Sequence, residues 1–520
     1  MLLHDILSRG EREFPASPAL VFRDQITTYG SLATAVERFA ASLKELGLKS
    51  GDRISLLLPN CTPFVIAYYA SARLGIVVVP VNPLLKPAEL EYMWRDAEVK
   101  LVVTASPLLP STQSARQNLP QLKFIVNITP SETLDATQFE TPGLLFLPEM
   151  MAEGAKILAS NPLPPTSHYA KEDDCAVIIY TSGTTGHPKG AMLSHKNLIR
   201  NAQQVIEALK FKEQDVFLTV IPLFHAFAAT VCMNTCLYGG YASVLMENFV
   251  PAKTLEAMQA HKVTILPAVP TIFSAFLAGG APKEAFSSVR MIVSGGAPLP
   301  ASTLEALESR YGIPVLEGDG PTECSPVTSV NPLVGVRKVG SVGPPLPGVE
   351  IEIWDDDNIP VHMDEIGEIV VRGDNVMLGY LNQPEATAEA MSGGWYHTGD
   401  LGKIDFDGYV FILDRKKDMI ITSGLNVYPR EIEQVLLEHP GVAEVAVIGL
   451  PDALRGESVA AVVVRREDVE ISERELAAYC RERIATYKSP RKIIFRDTLP
   501  KGAKGQVLKR LLKKEMELEG

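Results

Sequence analysis

The segment from Tyr180 to Gly190 reads Tyr-Thr-Ser-Gly-Thr-Thr-Gly-His-Pro-Lys-Gly and concentrates groups that hold anionic oxygens. Gly183, Gly186 and Gly190 permit positive φ and let the backbone approach a ligand closely. Successive backbone N–H groups in such a loop form an anion nest. The hydroxyls of Thr181, Ser182, Thr184 and Thr185 donate to phosphate oxygens, and Lys189 adds a point charge. The same composition also suits a solvent-exposed loop without a ligand, and the loop taken alone leaves both readings open. The pattern G-x4-G-K-[ST] is not met, because two residues separate Gly186 from Lys189. That disfavours a P-loop nucleotidase.

The elements that must position this loop are short apolar strands alternating with helices. Strands are expected at Ile54–Leu58, Ile76–Val81, Lys100–Thr104 and Lys123–Val126, with helical spacing over Tyr29–Leu46 and Ala88–Asp96. The grammar repeats at Cys175–Tyr180, Ala242–Glu247, Val263–Pro267 and Arg290–Ser294. Such alternation predicts an α/β fold with a large, multilayer N-terminal domain of mixed and largely parallel sheets. Gly367–Gly373 and Gly408–Leu413 read as strands before a change near residue 414. Beyond it, helices at Arg430–Glu438 and Ser472–Ala485 and strands at Val442–Leu450, Glu457–Arg465 and Lys492–Phe495 make a small α+β C-terminal domain. The boundaries expected are 1–414 and 415–520, joined by Asp414-Arg415-Lys416-Lys417-Asp418. Ser472 and Glu475 form a capping-box pattern at the start of the second helix.

The 520 residues exceed what one hydrophobic core usually serves, and 46% hydrophobic with 21% charged residues is ordinary for a folded enzyme. A net charge of −13 argues against a nucleic-acid partner. The six cysteines form no CxxC pair and none sits beside a His at zinc spacing, so reduced thiols in a cytoplasmic protein are expected. Met1 to Phe14 mixes charges with apolar residues and does not read as a secretory signal. No apolar run reaches the roughly 18 residues that a membrane helix needs. Phe217 to Leu237 is apolar but broken by Pro222, His225 and Asn234, and reads as a buried core or pocket wall.

Tyr180 to Gly190, continued by Ala191-Met192-Leu193-Ser194-His195, resembles the signature of the adenylate-forming superfamily, which includes acyl-CoA synthetases, aryl-CoA ligases, adenylation domains and beetle luciferases. Further segments match that family in order. Ser294-Gly295-Gly296-Ala297-Pro298-Leu299 resembles its adenine-side loop and Glu317 to Glu323 its Thr-Glu motif. Trp395 to Asp400 resembles its ribose motif, Asp414 to Asp418 its hinge, and Ser423-Gly424 with Asn426 to Glu433 the loop that follows. The resemblance implies a two-step ligase using ATP, Mg²⁺ and coenzyme A. A carboxylate attacks the α-phosphate of ATP to give acyl-adenylate, and a thiol then displaces AMP.

Residue by residue, the resemblance implies that Glu323 and Thr181 hold magnesium and that Thr322 contacts the α-phosphate. Ser182 to Gly186 and Lys189 would surround the phosphates. Gly296, Ala297, Pro298, Asp319 and Gly320 would border adenine, and Asp400 with Arg415 would take the ribose. His225, in Pro222 to Phe227, would orient the acid; an isolated imidazole in an apolar stretch also fits a satisfied core residue. Ser423 and Gly424 would line the coenzyme A tunnel, and Lys417 would be the hinge of a mobile C-terminal domain.

Two positions depart from the family pattern. Gln506 stands where the family carries a lysine that bridges the carboxylate and the α-phosphate, with spacing from Pro500 and to Lys509-Arg510 intact. An amide brings no charge, so adenylation is expected to be slow while thioester formation need not be. A natural change, a substitution introduced to trap an intermediate, and rescue by Lys504 or Lys509 are the accounts open. Asp319 stands where an aromatic residue usually packs on adenine. The whole-chain flavour is that of bacterial medium- or long-chain fatty-acyl-CoA synthetases, with an aryl or alicyclic acid ligase as the alternative and a non-catalytic acyl- or nucleotide-binding protein as a further one. A peripheral membrane contact through the tail from Lys501, with six basic and three acidic side chains, and a homodimer are also compatible.

Overall fold

The computed structural model describes residues 1–130, 141–181, 188–422, 425–452, 455–466, 469–501 and 507–519. The chain divides into two compact units: residues 1–299, 303–350 and 371–396 form the first, and residues 300–302, 351–370 and 397–520 the second.

The first unit holds two eight-stranded sheets. One runs Gly379–Tyr380, Lys189–Ser194, Cys175–Thr181, Val77–Pro80, Arg53–Leu57, Val99–Thr104, Phe124–Asn127 and Leu144–Phe146 in space. From Cys175–Thr181 outward it is parallel. The other runs Ser329–Val330, Val315–Asp319, Met291–Ser294, Ile265–Ala268, Val216–Thr219, Ala242–Leu245, Pro18–Phe22 and Gln25–Thr28, with its six central strands parallel. The mixed and mostly parallel layers expected from strand–helix alternation are present.

Local chemistry explains the elements. Thr28 caps the helix Tyr29–Glu45 by accepting from the Ser31 N–H, and that helix buries Leu32, Val36, Phe39 and Leu43 at helical spacing. Leu57, Val79, Trp94, Val102 and Ile178 share one core cluster. Inside it, Trp94 Nε1 donates to Ser55 Oγ at 2.9 Å and Ser55 Oγ donates to the Val79 carbonyl at 2.9 Å, so these polar atoms are satisfied. Most of the run from Phe217 to Leu237 is buried as expected, with Pro222 exposed and Phe224 and His225 half-buried, and it includes a π-helix at Ala228–Asn234 that periodicity does not reveal.

The second unit carries most of a four-stranded sheet, Val349–Trp354, Gly367–Gly373, Tyr396–Ile404 and Val410–Arg415. The turn Lys416–Asp418 leads into a five-stranded sheet built around Val442–Asp452 and Gly456–Arg465. Helices Pro429–Leu437 and Glu473–Arg483 bury Ile432, Leu436, Leu476 and Cys480 against one face of it, and Lys509–Glu519 buries Leu512 and Met516 against the other. The sequence pattern of a capping box at Ser472 is half realised. Ser472 Oγ accepts from the Glu475 N–H at 3.2 Å, but the Glu475 carboxylate lies 3.6 Å from His439 Nε2, drawn off by the imidazole.

One buried ion pair pins the second sheet of the first unit. Asp215 is 3% exposed, and it accepts from Arg290 Nε at 2.8 Å, from Arg290 Nη2, from the Lys212 N–H at 2.7 Å and from Thr264 Oγ1 at 2.8 Å. Burial alone would raise the Asp215 carboxyl, but Arg290 and the Lys212 N–H hold it below its ordinary value. Asp215→Ala is expected to lose about 3 kcal/mol, because it strands a cation and two donors. A depressed carboxyl contributes stability above its unfolded pKa and loses it as pH falls through the folded value. Urea unfolding should therefore show the gap between wild type and variant closing in acid.

Candidate nucleotide and acyl site

The phosphate-type loop closes a β-hairpin. Strands Cys175–Thr181 and Lys189–Ser194 are antiparallel, with Tyr180 opposite Gly190 and Thr181 opposite Lys189. Thr181 and Lys189 thus flank the two ends of the loop. Ser182, Gly183, Thr184, Thr185 and Gly186 lie outside the described residues, as do Ser423, Gly424, Lys504 and Gln506. The hairpin is fastened at its far end: Ser194 Oγ accepts from the Asn197 N–H at 3.1 Å and Asn197 Oδ1 accepts from the Ser194 N–H at 2.8 Å. This reciprocal cap starts the helix His195–Leu209. His195 is buried; Nδ1 accepts from the Leu3 N–H at 3.2 Å, and burial pushes the imidazole down to about 4, so it is neutral.

Glu323 stands beside the hairpin. Its Oε1 accepts from Thr181 Oγ1 at 3.2 Å and from Tyr380 Oη at 3.0 Å, and the side chain is 8% exposed. Tyr380 arrives because Gly379–Tyr380 pairs with Ala191 and Met192, extending the sheet. The Glu323 carbonyl also accepts from the Met377 N–H at 2.7 Å. Burial and the Glu323 carboxylate push the Tyr380 phenol up, which keeps it a donor. Lys189 Nζ sits 5.1 Å from the Tyr380 ring centroid. Tyr380 was not singled out from the sequence, since its link to Glu323 spans 57 positions and no local pattern encodes it. Among the described residues no cluster of three His, Cys, Asp or Glu side chains exists. A magnesium ion at Glu323 would therefore take most of its oxygens from phosphate and water, which suits this hard, reluctantly dehydrated cation.

Three segments named from the sequence leave the carboxyl ends of parallel strands in one sheet: Gly295–Pro298 after Met291–Ser294, Gly320–Glu323 after Val315–Asp319, and Pro222–Phe227 after Val216–Thr219. That edge is where ligands bind in open α/β sheets. Gly296 has φ +75°, a conformation other residues resist, while Ala297 and Pro298 are exposed. Glu317, also not singled out as a site residue, anchors this loop: its Oε1 accepts from the Leu299 N–H at 2.9 Å and it is 5% exposed. A Cβ on Gly320 would lie 1.6 Å from the Pro326 carbonyl oxygen, so only glycine fits. Thr322 is buried, and Asp319 is half-buried with its carbonyl accepting from the Thr328 N–H at 2.9 Å.

His225 is half-buried, and its Nδ1 accepts from the Phe227 N–H at 3.2 Å. The neutral ring therefore carries its proton on Nε2, where it is a donor. After Phe227, residues Ala228 to Leu237 are all buried. Thr230 Oγ1 donates to the Ser325 carbonyl at 2.5 Å, tying this wall to the turn that carries Glu323.

In the second unit, Asp400 and Arg415 face each other across antiparallel strands, with Arg415 Nε 2.7 Å from Asp400 Oδ1. Arg415 NH1 also donates to the Thr398 carbonyl at 3.3 Å, and Thr398 Oγ accepts from the Asp400 N–H at 3.0 Å. Arg415 thus ends a strand and lies before the Lys416–Asp418 turn, where Lys417 is exposed. Asp414 Oδ2 accepts from the Arg430 N–H at 2.7 Å at the start of Pro429–Leu437. Lys509 Nζ lies 2.8 Å from Glu433 Oε1, which also accepts from the Val447 N–H at 2.7 Å. Burial opposes the Lys509 charge, but Glu433, Asp414 and Asp418 outweigh it and raise its pKa.

All six cysteines are free, and burial pushes Cys61, Cys175 and Cys232 up to about 12, so these thiols stay protonated. No helix among the described residues is long and apolar enough to cross a membrane.

A family model described as AMP-binding enzyme matches residues 7–381, and one described as AMP-binding enzyme C-terminal domain matches residues 431–506. A long-chain-fatty-acid–CoA ligase of Bacillus subtilis (strain 168) is 36% identical over 99% of this chain and 95% of its own length. A feruloyl-CoA synthase of Amycolatopsis sp. is 37% identical over 96% of both chains. The ATP-bound MatB of Rhodopseudomonas palustris superposes with a TM-score of 0.88 at 33% identity, covering 99% of both chains. By profile, whole-length similarity and fold alike, the chain belongs to the AMP-binding enzyme family and is an AMP-forming acyl-CoA synthetase that uses ATP, Mg²⁺ and coenzyme A.

Proposed function

We propose that the acid is a medium- or long-chain fatty carboxylate. The observation that carries this reading is the fully buried run Ala228 to Leu237, which starts three residues after His225 and is joined by Thr230 to the Ser325 carbonyl, two residues from Glu323. A carboxylate oriented by His225 Nε2 then has an apolar wall for its tail on one side and the triphosphate on the other. The 36% identity to a long-chain ligase supports the same acid, and the 37% identity to a feruloyl-CoA synthase supports an aryl acid as the second reading.

In the first half-reaction the carboxylate oxygen attacks the α-phosphorus of ATP and pyrophosphate leaves. Thr181, Lys189, Thr322 and the loop Ser182–Gly186 hold the phosphates, and Gly296, Ala297, Pro298, Asp319 and Gly320 border the adenine. Asp400, backed by Arg415, accepts from the ribose hydroxyls. Glu323 and Thr181 would hold magnesium, which would supply positive charge to the phosphates. In the second half-reaction the coenzyme A thiol, reaching the site past Ser423 and Gly424, attacks the acyl carbonyl and AMP leaves. Lys417, exposed in the turn between two sheets, is the proposed pivot between the half-reactions. Gln506 supplies no cation to the first half-reaction, and Lys509 is engaged with Glu433, so adenylation is slow relative to thioester formation. Free, protonated thiols support a cytoplasmic setting.

The reading is tested with an acid panel from octanoate to palmitate beside benzoate and ferulate, scored by CoA-thioester formation. Fatty acids should give the highest kcat/KM by at least about tenfold, the scale of a difference of one to two methylene contacts. A preference for ferulate would replace the fatty reading with the aryl one.

A further inference from the structure

We propose that Asn60 is a positioning residue for the acyl site, setting where the segment Ile221–Phe227 leaves its sheet. This rests on the proposal that this segment holds the acid. Asn60 follows strand Arg53–Leu57 of one sheet, yet its side chain reaches the other. It is 3% exposed. Nδ2 donates to the carbonyls of Thr219 at 3.3 Å, Ile221 at 3.0 Å and Met246 at 3.1 Å, and Oδ1 accepts from the Leu223 N–H at 2.7 Å.

The need for such a group follows from the sequence. Pro222 has no N–H, so the chain beyond Val216–Thr219 cannot continue a regular ladder. The polar backbone of Ile221 and Leu223 still has to be satisfied in a dry interior. A primary amide offers two N–H donors and an acceptor on one short stem, and Asn60 uses all three here, its two N–H groups shared among the carbonyls of Thr219, Ile221 and Met246. Leu223 is two residues from His225, whose own N–H donates to the Pro222 carbonyl at 3.0 Å. Phe227 then donates to His225 Nδ1, and its ring meets the Gly295 backbone: a Cβ on Gly295 would lie 3.4 Å from Phe227 Cε1. A shift at Leu223 therefore passes to His225 and to the acid, while Thr181, Glu323 and Tyr380 are held by bonds that do not involve Asn60.

The test is calorimetric binding to the full chain of AMP and of two non-hydrolysable acyl-adenylate mimics, dodecanoyl- and feruloyl-sulfamoyl adenosine. Wild type decides the acid class: whichever mimic binds tighter than AMP becomes the probe, and a feruloyl preference corrects the acid without touching Asn60. For Asn60→Ala, the probe should bind at least about tenfold more weakly, the scale of a lost buried hydrogen-bonding partner, with AMP affinity changed less than about twofold. Asn60→Asp, which keeps the acceptor for Leu223 but sets a charge against three carbonyls, should be no better. Asn60→Ser, whose hydroxyl both donates and accepts, should recover part of the loss and serves as the readout if the alanine variant does not fold. Equal weakening of AMP and probe, or unchanged probe binding, overturns the proposal. So does a wild type that binds neither mimic tighter than AMP.

Discussion

Replacing Gln506 with lysine is expected to raise acid-dependent pyrophosphate release by at least about tenfold, and by on the order of 10²–10³ if the new ammonium acts as a full electrostatic donor to the transition state. Charge moves between carboxylate, α-phosphate and leaving pyrophosphate in this step, so a cation placed among them is worth more than an amide. Thioester formation from preformed acyl-adenylate should change little, because that step expels AMP and does not build charge on the triphosphate. Lys509 is already bound to the Glu433 carboxylate, and pulling it away would leave that half-buried acid without its cation. The two half-reactions must be timed separately, pyrophosphate by a coupled assay and thioester by chromatography. No rise in pyrophosphate release on Gln506→Lys sinks the reading of Gln506 as the limiting position.

The second large effect is expected at Glu323. In the Gln506→Lys background, Glu323→Gln should lower adenylation by on the order of 10²–10³ at ordinary magnesium. The amide is close in shape and can still accept from Thr181 Oγ1 and Tyr380 Oη, which both meet Oε1 at 3.2 and 3.0 Å, so the local structure should survive. What is lost is the one negative charge available to a cation among these groups. Part of the activity should return as magnesium is raised, and AMP binding without metal should be unaffected. An unchanged magnesium dependence rejects Glu323 as the metal's carboxylate.

The strands and helices were legible where short apolar runs sit between glycines and prolines. Arg53–Leu57, Val99–Thr104, Cys175–Thr181 and Lys492–Phe495 fall within a residue or two of their expected places. Lys189–Ser194 carries no strand signal, because Lys-Gly-Ala-Met-Leu-Ser has neither alternation nor β-branched residues; it is a strand because Cys175–Thr181 supplies a ladder. The π-turns of Ala228–Asn234 are equally invisible, since Ala-Ala-Thr-Val-Cys-Met-Asn has too few polar residues to mark a face. The site motifs were legible as chemistry, each a run of polar residues with a reason to be together. Their supports were not. Tyr380 under Glu323, Glu317 beneath Leu299 and Asn60 behind Leu223 are contacts across 57, 18 and 163 positions, and only the folded sheets bring them about.

The common edge of the parallel sheet has a consequence for how this scaffold changes over time. Gly295–Pro298, Gly320–Glu323 and Pro222–Phe227 leave separate strands, so a change in one is felt by another only where they touch, as the Phe227 ring meets Gly295. On the proposed reading of the acyl side, the nucleotide side can stay fixed while the wall from Ala228 onward is recut for a different acid, with Thr230 kept for its bond to the Ser325 carbonyl. Similarity to a fatty-acid ligase and to a feruloyl-CoA synthase at 36% and 37% is what such a division of labour produces. On that reading a change of diet is written in the side chains of one segment, and natural selection can try new acids while the nucleotide loops are kept.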